Sequence, residues 1–353
     1  MFLKEFSYST PFWRLEKLRG LKEVNLMVGK NSSGKSRTLN ALARTVLFLR
    51  QLNSFTALDT VSVEMSFLDG EERLDYAFKC ENGAIVYEHL ANESGTLIER
   101  NSKDVATIQG EIINPPSGSL VLHVRRDTKN YPYIEKIVSW AEQSCHMPFN
   151  ETDSWRADDS KIYLNGTRSS LAMMFKSLDD LKRKEVLAQA RELDYQLERI
   201  TVLDIANHNY IRVKEKGVPH MLLLQSLSKG IHRVLFLLVY LQCLSEMQSA
   251  SILLIDDFCE GLDYSRARKF GKMLFDFCGN HGIQLIVSTN DHFLMDAIEL
   301  DNWHILVREG SVVRCINTTT NPDIFLDFSM TGLNNFDLFS SDYIKNHLKS
   351  SKG

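Results

Sequence analysis

Residues 29–36, GKNSSGKS, place two glycines, a lysine and a serine at the spacing G-x-x-x-x-G-K-[ST]. Glycines at these positions let successive backbone N–H groups turn towards one anion, and a following helix adds its dipole. In such a loop the lysine reaches the outer phosphates of a nucleotide, and the serine hydroxyl can ligate Mg²⁺. The candidate phosphate-binding residues are Gly29, Lys30, Asn31, Ser32, Ser33, Gly34, Lys35, Ser36 and Arg37.

Two carboxylates follow an apolar run in residues 251–257, SILLIDD. A buried strand that delivers Asp256 at its carboxyl end fits a Walker B motif, whose aspartate holds Mg²⁺ directly or through water. Asp257 is then placed to orient or deprotonate an attacking water. Two acids can also simply cap a strand, but beside the loop at 29–36 they predict a site for ATP and Mg. The candidate metal ligands are Ser36 and Asp256.

Three further polar segments lie around this pair. The segment LSKG contributes Ser228, Lys229 and Gly230 at the start of a helix, where a hydroxyl and backbone amides can bind phosphate. A serine there is more often an N-cap, so the value of this motif lies in its place before the Asp pair. Asp263 ends the segment EGLD, and Asn290 lies in STND. Independent chance does not easily produce all five segments in this order.

An α/β fold is predicted to position these segments. The run VNLMV reads as a strand buried on both faces, directly before the loop, and residues 37–52 have helical spacing. Residues 61–114 alternate in polarity around Asp69-Gly70 and Ser94-Gly95, as antiparallel strands do. Residues 1–28 are predicted to hold two strands, MFLKEFSYS and VNLMV. The remaining predicted strands lie at 119–127, after residue 200, at 251–257 and at 283–291, and a hairpin lies at 304–316. The remaining predicted helices lie at 133–143, 169–198, 228–247 and 265–282.

The predicted domains follow from this order. They are an N-terminal lobe with the phosphate loop and an antiparallel sheet (1–145), a helical insertion (146–215) that begins with a polar, loop-like stretch at 150–168, and a C-terminal lobe (216–353) with the remaining motifs.

Composition excludes several classes of protein. The chain has 353 residues and a formal net charge of −4, which does not indicate a globally basic nucleic-acid binder. Its six cysteines form no C-x-x-C pair, so neither a zinc site nor a redox motif is predicted, and buried reduced thiols are expected. The N-terminus lacks the apolar core of a signal peptide, and the most apolar stretch, 234–244, is too short to span a bilayer. A soluble, cytoplasmic protein is expected.

With these motifs in this order, the sequence resembles the ABC-type ATPase heads of the RecF, SMC and OLD class over nearly all of its length. The resemblance implies a P-loop NTPase of ABC-ATPase head architecture, with an inserted antiparallel sheet and a helical insertion. It also implies a homodimer that sandwiches ATP and Mg head to tail. The loop around Lys35 of one protomer would hold the phosphates, Ser228 and Gly230 of the other would close on the γ-phosphate, and Asp263 would couple the two sites.

Two departures from the family pattern concern hydrolysis. Family members usually carry Glu where this chain has Asp257, which is one methylene shorter. The usual switch histidine is replaced by Asn290, which has no positive charge, while His292 lies two residues later, on the predicted next helix. Catalytic roles are predicted for Asp257, Lys35 and Asn290. Hydrolysis is expected to be slow, since one misplaced group can cost on the order of 10²-fold.

Three functions remain open at this point. The first is an ATP-gated dimer that passes its state to a separate effector protein; small free-standing heads of this kind resemble components of bacterial anti-phage systems. The second is a RecF-like repair ATPase that clamps DNA. The third is a small-molecule kinase, against which the LSKG–IDD–GLD order argues. Outside the motifs, His123, Arg125 and Arg126 are read as a strand end that could line a nucleotide or DNA surface, and Phe12 and Trp13 as packing residues or an adenine platform.

Overall fold

We analysed a computed structural model of the chain. It describes residues 1–52, 59–148, 162–164, 167–169, 171–205, 208–247, 252–341, 343, 344 and 347. Most of the stretch 150–168, which is predicted to be loop-like, lies outside the described residues.

The described strands form three sheets and are numbered here in chain order. They are β1 (Phe2–Thr10), β2 (Trp13–Leu18), β3 (Val24–Val28), β4 (Thr60–Asp69), β5 (Glu72–Glu81), β6 (Ala84–Asn92), β7 (Gly95–Arg100), β8 (Ala106–Ile108), β9 (Glu111–Ile113), β10 (Cys145–Pro148), β11 (Ile162–Leu164), β12 (Thr167–Ser169), β13 (Leu197–Ile205), β14 (His208–Glu215), β15 (Leu222–Leu223), β16 (Ile252–Asp256), β17 (Gln284–Ser288), β18 (Trp303–Glu309) and β19 (Val312–Ile316).

Helices connect and cover these strands. They are α1 (Lys35–Leu49), α2 (Val121–Val124), α3 (Pro132–Glu142), α4 (Leu171–Ser177), α5 (Asp180–Glu192), α6 (Lys229–Met247), α7 (Tyr264–Asn280), α8 (His292–Ala297), α9 (Pro322–Ser329) and α10 (Asn335–Ser340).

One mixed sheet of fourteen strands carries the motifs, in the order β10-β16-β17-β3-β18-β19-β2-β1-β4-β5-β6-β7-β8-β9. Its first five strands are mutually parallel, and β16, β17 and β3 are adjacent. These three strands are apolar and almost wholly buried, as strands covered on both faces are. Because the carboxyl ends of parallel strands meet at one edge, the loop after β3, the carboxylates of β16 and the polar end of β17 converge there.

Two hydrophobic cores lie on the faces of this sheet. One includes the apolar side of α1 and the antiparallel strands β4–β9. The other includes α6, α7 and the apolar sides of α4 and α5. The three-stranded sheet β13-β14-β15 packs against α4 and α5, so the predicted helical insertion contains a small sheet as well as helices.

The prediction of a strand at 119–127 is wrong, because tertiary contacts fold Val121–Val124 into the short helix α2. Glu88 in β6 is completely buried, and its carboxylate accepts hydrogen bonds from the Val121 N–H (2.7 Å) and from the Tyr76 hydroxyl (3.0 Å). Burial raises the pKa of Glu88 to about 7. This carboxylate holds the amino end of α2 against the sheet, a contact that local alternation cannot reveal.

Other boundaries also differ from the predictions. Residues 1–28 contain three strands rather than two, because Trp13–Leu18 pairs with both β1 and β19. The helix after the phosphate loop begins at Lys35, two residues earlier than its apolar spacing suggested. The helical run at 169–198 is two helices, since the Asp179 carboxylate accepts the Lys182 N–H (2.8 Å) and caps a new one.

The cysteines are free, as predicted. Cys80, Cys145, Cys243, Cys259 and Cys278 are buried, and Cys315 is partly buried. Burial raises the pKa of the Cys145 thiol to about 11. In the described part of the chain, no helix is both long and apolar enough to span a membrane.

Candidate functional site

The loop 29–36 connects β3 to α1 and depends on its glycines. Gly34 has φ +106°, and a Cβ on it would lie 2.8 Å from the Val313 side chain. A Cβ on Gly29 would lie 2.9 Å from the Leu306 carbonyl oxygen. Contacts this short are not tolerated, so the close fit of the loop against β18 and β19 requires glycine at both places.

Lys35 is the first residue of α1 and is only 5% exposed. Its ammonium donates a hydrogen bond to the Gly29 carbonyl (2.7 Å), and within the described residues it has no ion pair. Burial lowers the pKa of Lys35, and the nearby carboxylates of Asp257 and Asp256 oppose this shift. The side chain is therefore a buried cation whose charge no contacting carboxylate neutralises.

The amino end of α1 offers unsatisfied donors. No side chain caps it, and its first turn contains no acidic residue. The Ser33 hydroxyl is buried and has no hydrogen-bond partner among the residues that the structure describes. Ser36 is the second residue of the helix and partly exposed. Free N–H groups, a positive helix end and a buried ammonium together form a cradle for an anion.

Asp256 ends β16 and is buried, next to the end of β17. Its Oδ1 accepts a hydrogen bond from the Ser288 hydroxyl (2.5 Å), and α1 packs against β16. This bond fixes one carboxylate oxygen and leaves the other for a further ligand.

Asp257 adopts the left-handed conformation, with φ +49°. Its N–H donates to the Ser288 hydroxyl oxygen (2.9 Å), so one serine side chain bridges Asp256 and Asp257. The Phe258 N–H donates to the Ser288 carbonyl (2.9 Å) and strengthens the same junction. Ser288, the first residue of STND, was not among the predicted site residues. Its place at the end of a buried strand that precedes polar residues is the sequence feature that could have indicated its contact with the Asp pair.

Glu260 is removed from this group of carboxylates. It forms an ion pair with Arg233 of α6 (3.3 Å), and the same guanidinium donates to the Glu260 carbonyl. The Glu260 side chain is therefore held by α6.

The LSKG segment packs against the turn after β16. Ser228 is exposed, and its hydroxyl accepts a long hydrogen bond from the Ile231 N–H (3.5 Å) at the start of α6. Gly230 is buried, and a Cβ on it would lie 3.1 Å from the Gly261 carbonyl and 3.7 Å from the Tyr195 hydroxyl. Tyr195 is a neighbour of this segment that sequence reasoning did not identify.

Asp263 caps α7 within its own chain. Its carboxylate accepts the Arg266 N–H (3.1 Å) and pairs with the Arg266 guanidinium (2.6 Å). The carboxylate remains about half exposed, at 53%. In the described part of the chain, its side-chain contacts are with Arg266 of the same helix.

Asn290 is exposed just beyond the carboxyl end of β17. His292 is the first residue of α8, and its ring lies against that of Phe336 (5.4 Å between centroids). His292 thus lies on α8, beyond the polar end of β17.

Comparisons with known proteins agree with this geometry. No protein-family profile and no curated relative matches the sequence. Among solved structures, the chain aligns with an SmcHead bound to the C-winged helix domain of ScpA, at 11% identity and a TM-score of 0.52, covering 90% of this chain and 98% of the other. The chain has the fold of an SMC head domain.

Two further SMC heads align over similar lengths. The SMC head domain from Thermotoga maritima is 15% identical and covers 90% of this chain and 99% of its own, with a TM-score of 0.47. The Smc head with an extended coiled coil, bound to the C-terminal domain of ScpA derived from Pyrococcus furiosus, is 10% identical and covers 93% and 99%, with a TM-score of 0.48. The alignment with the SmcHead bound to the C-winged helix domain of ScpA confirms the predicted fold class, that of a P-loop ATPase head.

Within the SMC-head fold, the predicted site residues form two groups. The loop 29–36, Asp256 and Asp257 converge at one edge of the sheet. Gly230, two residues after Ser228, lies against the turn that leads to Asp263. Within the described residues, no hydrogen bond or ion pair joins Ser228, Lys229 or Gly230 to the loop of the same chain.

The two aromatic residues predicted to pack or to bind adenine differ in exposure. Trp13 is 2% exposed, and the Arg37 guanidinium lies over its ring at 4.8 Å, which supports packing for this residue. Phe12, at the turn between β1 and β2, is 84% exposed.

The predicted strand-end cluster at 123–126 is mostly structural. His123 is partly buried and lies 3.0 Å from the Phe48 carbonyl, and Arg126 pairs with Glu135 and Glu142. Arg125 is exposed.

Proposed function

We propose that this chain binds ATP with Mg²⁺ in the loop 29–36, dimerises around the nucleotide, hydrolyses it slowly and transmits its state to a partner effector protein. The observation that carries the proposal is Lys35. A buried lysine without an ion pair in the described residues is costly unless an anion completes its environment. The uncapped amino end of α1 supplies backbone donors to the same place.

The residues at the site also fit the metal. Mg²⁺ prefers hard oxygen ligands, and Ser36 and Asp256 offer a hydroxyl and a carboxylate oxygen beside the loop. These two residues would hold the ion, which would supply positive charge against the phosphate oxygens. Ser288 holds the Asp256 carboxylate in a fixed orientation, so a bound metal would meet a preorganised ligand.

The chain's own residues would act on the attacking water. Asp257 would orient it or accept its proton, since its backbone is fixed next to Asp256 by Ser288. Asn290 would donate one hydrogen bond towards the γ-phosphate, and Lys35 would neutralise its charge. A short carboxylate and an uncharged amide stabilise the transition state less than a glutamate and a histidine would, so we expect slow turnover.

The two groups of site residues lie apart within one chain, which supports a site that two chains build together. Ser228 is exposed and Gly230 lies beside it at the start of α6, away from the loop of the same chain. We propose that these residues, with Lys229 and Asp263, close on the nucleotide held by a second copy. ATP would then favour the dimer and hydrolysis would release it, a two-state switch whose populations the γ-phosphate shifts.

The experiment combines mass in solution with phosphate release. Wild type is expected to form dimers only with ATP and Mg²⁺, Lys35→Ala is expected to remain monomeric, and Lys129→Ala, a change at an exposed lysine away from the site, should match wild type. A mixture of Lys35→Ala with Ser228→Arg should recover ATP-dependent dimers, since one chain supplies an intact loop and the other an intact LSKG segment. Failure of wild type to dimerise, or of the mixture to recover, would overturn the head-to-tail arrangement.

DNA binding in the RecF manner is the less favoured alternative. A groove beside β2 and β19 is lined by Arg14, Lys17, Arg19 and Arg314, but acids neutralise part of it. Arg314 pairs with Glu16 and Glu309, and Lys17 lies near Glu5 and Glu64. A salt-sensitive DNA affinity that appears only with ATP would favour this alternative over an effector protein.

A further inference from the structure

A groove of about 570 Å³ lies between the open edge of β13 and the helices α4 and α5. Among the described strands, β13 is the edge strand of the sheet β13-β14-β15 and pairs with β14 alone. Alternate residues of an edge strand turn their N–H and C=O groups away from the neighbouring strand. Among the described residues, the Arg191 guanidinium bonds the carbonyls of Leu197 (2.7 Å) and Glu198 (3.1 Å), and no hydrogen bond reaches the outer backbone edge from residue 199 to residue 205.

The lining of the groove is apolar at its base and basic at its walls. Phe175 and Leu187 from the helices face Ile200 and Val202 from the strand. A strand edge rich in β-branched residues is a template for another strand, and natural proteins usually blunt it or cover it. This edge contains no proline and no bulge beyond residue 199.

The charges in the groove favour an acidic occupant. Four cationic side chains line it against one carboxylate, Asp180. Arg183 pairs with Asp180 (3.4 Å), and Lys176 pairs with Asp204 (3.2 Å). In the described part of the chain, the side chains of Lys184 on α5 and Arg199 on β13 form no ion pair or hydrogen bond, so an uncompensated positive charge lies on each wall.

We propose that an extended, acidic segment of a partner protein docks in this groove as an added strand beside β13. Main-chain hydrogen bonds to the open edge would supply affinity, and alternate side chains would meet the apolar base and the two basic walls. The stretch from residue 199 to residue 205 corresponds to about 23 Å, enough for a segment of about seven residues.

The groove is connected to the LSKG segment through the residues that join its two walls. α5 leads into β13 through Leu193–Gln196, and Tyr195 lies beside Gly230. Arg266, which Asp263 pairs with, stacks on the Tyr195 ring (4.3 Å) and donates to the Leu193 carbonyl (3.1 Å). Any change of the docked segment's affinity with ATP rests on the proposed function, whereas docking itself does not.

The test pans a random nine-residue peptide display library against the purified chain without nucleotide. We expect enriched peptides with acidic residues in alternation with apolar ones. The best peptide, labelled with fluorescein and measured by anisotropy, should bind at least about tenfold more weakly to the double variant Lys184→Glu/Arg199→Glu. Lys129→Glu, an equal charge change elsewhere, and Lys35→Ala should bind it as wild type does. N-methylation of alternate peptide nitrogens should abolish binding, because it removes strand hydrogen bonds.

Several results would overturn the proposal. They are the absence of enrichment, enrichment of neutral or basic peptides, or unchanged affinity in the double variant. If an unlabelled oligothymidylate competes with the peptide, the groove binds nucleic acid instead. If the chain forms a dimer without nucleotide and the double variant does not, the groove binds a second copy of the chain. Normal peptide binding by Lys35→Ala together with failed ATP-dependent dimerisation would reject the ATP proposal and leave the groove proposal standing.

Discussion

Replacing Asp257 by glutamate tests whether the shorter carboxylate limits hydrolysis. The Asp257 backbone is held by the bond from its N–H to the Ser288 hydroxyl (2.9 Å), and Ser288 is itself bonded to Asp256 (2.5 Å). The main chain therefore cannot move to make up for a missing methylene, which corresponds to more than about 1 Å of reach. Since a misplacement of about 1 Å can cost on the order of 10²-fold, Asp257→Glu should raise kcat by about ten- to a hundredfold.

The same change has a structural cost. Asp257 has φ +49°, a conformation in which Asp and Asn are several-fold enriched over other residues with side chains. A several-fold preference corresponds to about 1 kcal/mol, so the free energy of unfolding of Asp257→Glu should fall by about that amount. Urea unfolding without nucleotide measures this loss, and it separates the stability of the variant from its activity.

Phosphate release at saturating ATP and Mg²⁺ measures kcat. Asp257→Asn, which keeps the size but removes the base, should be at least about tenfold slower than wild type. Glu260→Gln is the matched control, because Arg233 already holds that carboxylate away from the site. Equal rates for Asp257→Glu, Asp257→Asn and wild type would show that Asp257 is not the group that activates water, and the reasoning from its reach would be wrong.

Three further outcomes are expected. Without nucleotide, Lys35→Met should raise the free energy of unfolding at neutral pH by about 1 kcal/mol, since it removes a buried cation. This gain should shrink as the pH rises towards the ordinary lysine pKa of 10.5, because the wild-type lysine then becomes neutral in both states. Urea unfolding at several pH values measures both effects. The Glu88 carboxyl has a pKa of about 7 in the folded protein against 4.5 when exposed, so the folded state binds the extra proton and wild type should lose stability as the pH rises from 5 to 8. Relative to wild type, Glu88→Gln should therefore gain about 3 kcal/mol across that interval, and parallel pH dependences would contradict this account. Gly230→Ala would place a methyl group 3.1 Å from the Gly261 carbonyl, so ATP-dependent dimerisation measured by light scattering should weaken while nucleotide binding to the monomer, measured by calorimetry, is retained.

The sequence was sufficient to predict elements whose signal is local. The apolar strands β3, β16 and β17 read directly as buried runs, and the loop 29–36 and the Asp pair follow two of them without a gap. Antiparallel pairing of β4 to β7 followed from alternation and from glycine turns. These features are set by neighbouring residues, so one sequence is enough to locate them.

Elements decided by distant contacts were not predictable in the same way. Val121–Val124 alternates like a strand but is helical, because Glu88, far away in the sequence, binds its first N–H group. The roles of Ser288 and Tyr195 also depend on which strands and loops become neighbours. Local propensity is a weak guide wherever a buried polar contact of this kind determines the conformation.

The buried cysteines make the chain suitable for distance measurements by site-directed spin labelling. Cys80, Cys145, Cys243, Cys259 and Cys278 are enclosed, and burial raises the pKa of the partly buried Cys315 thiol as well. Since the thiolate is the reactive form, the native thiols should label slowly at neutral pH. A single Lys129→Cys substitution at an exposed position then gives one reactive thiol per chain without removing any native cysteine. Two spin labels, one on each copy, would report the distance between chains in solution with and without ATP.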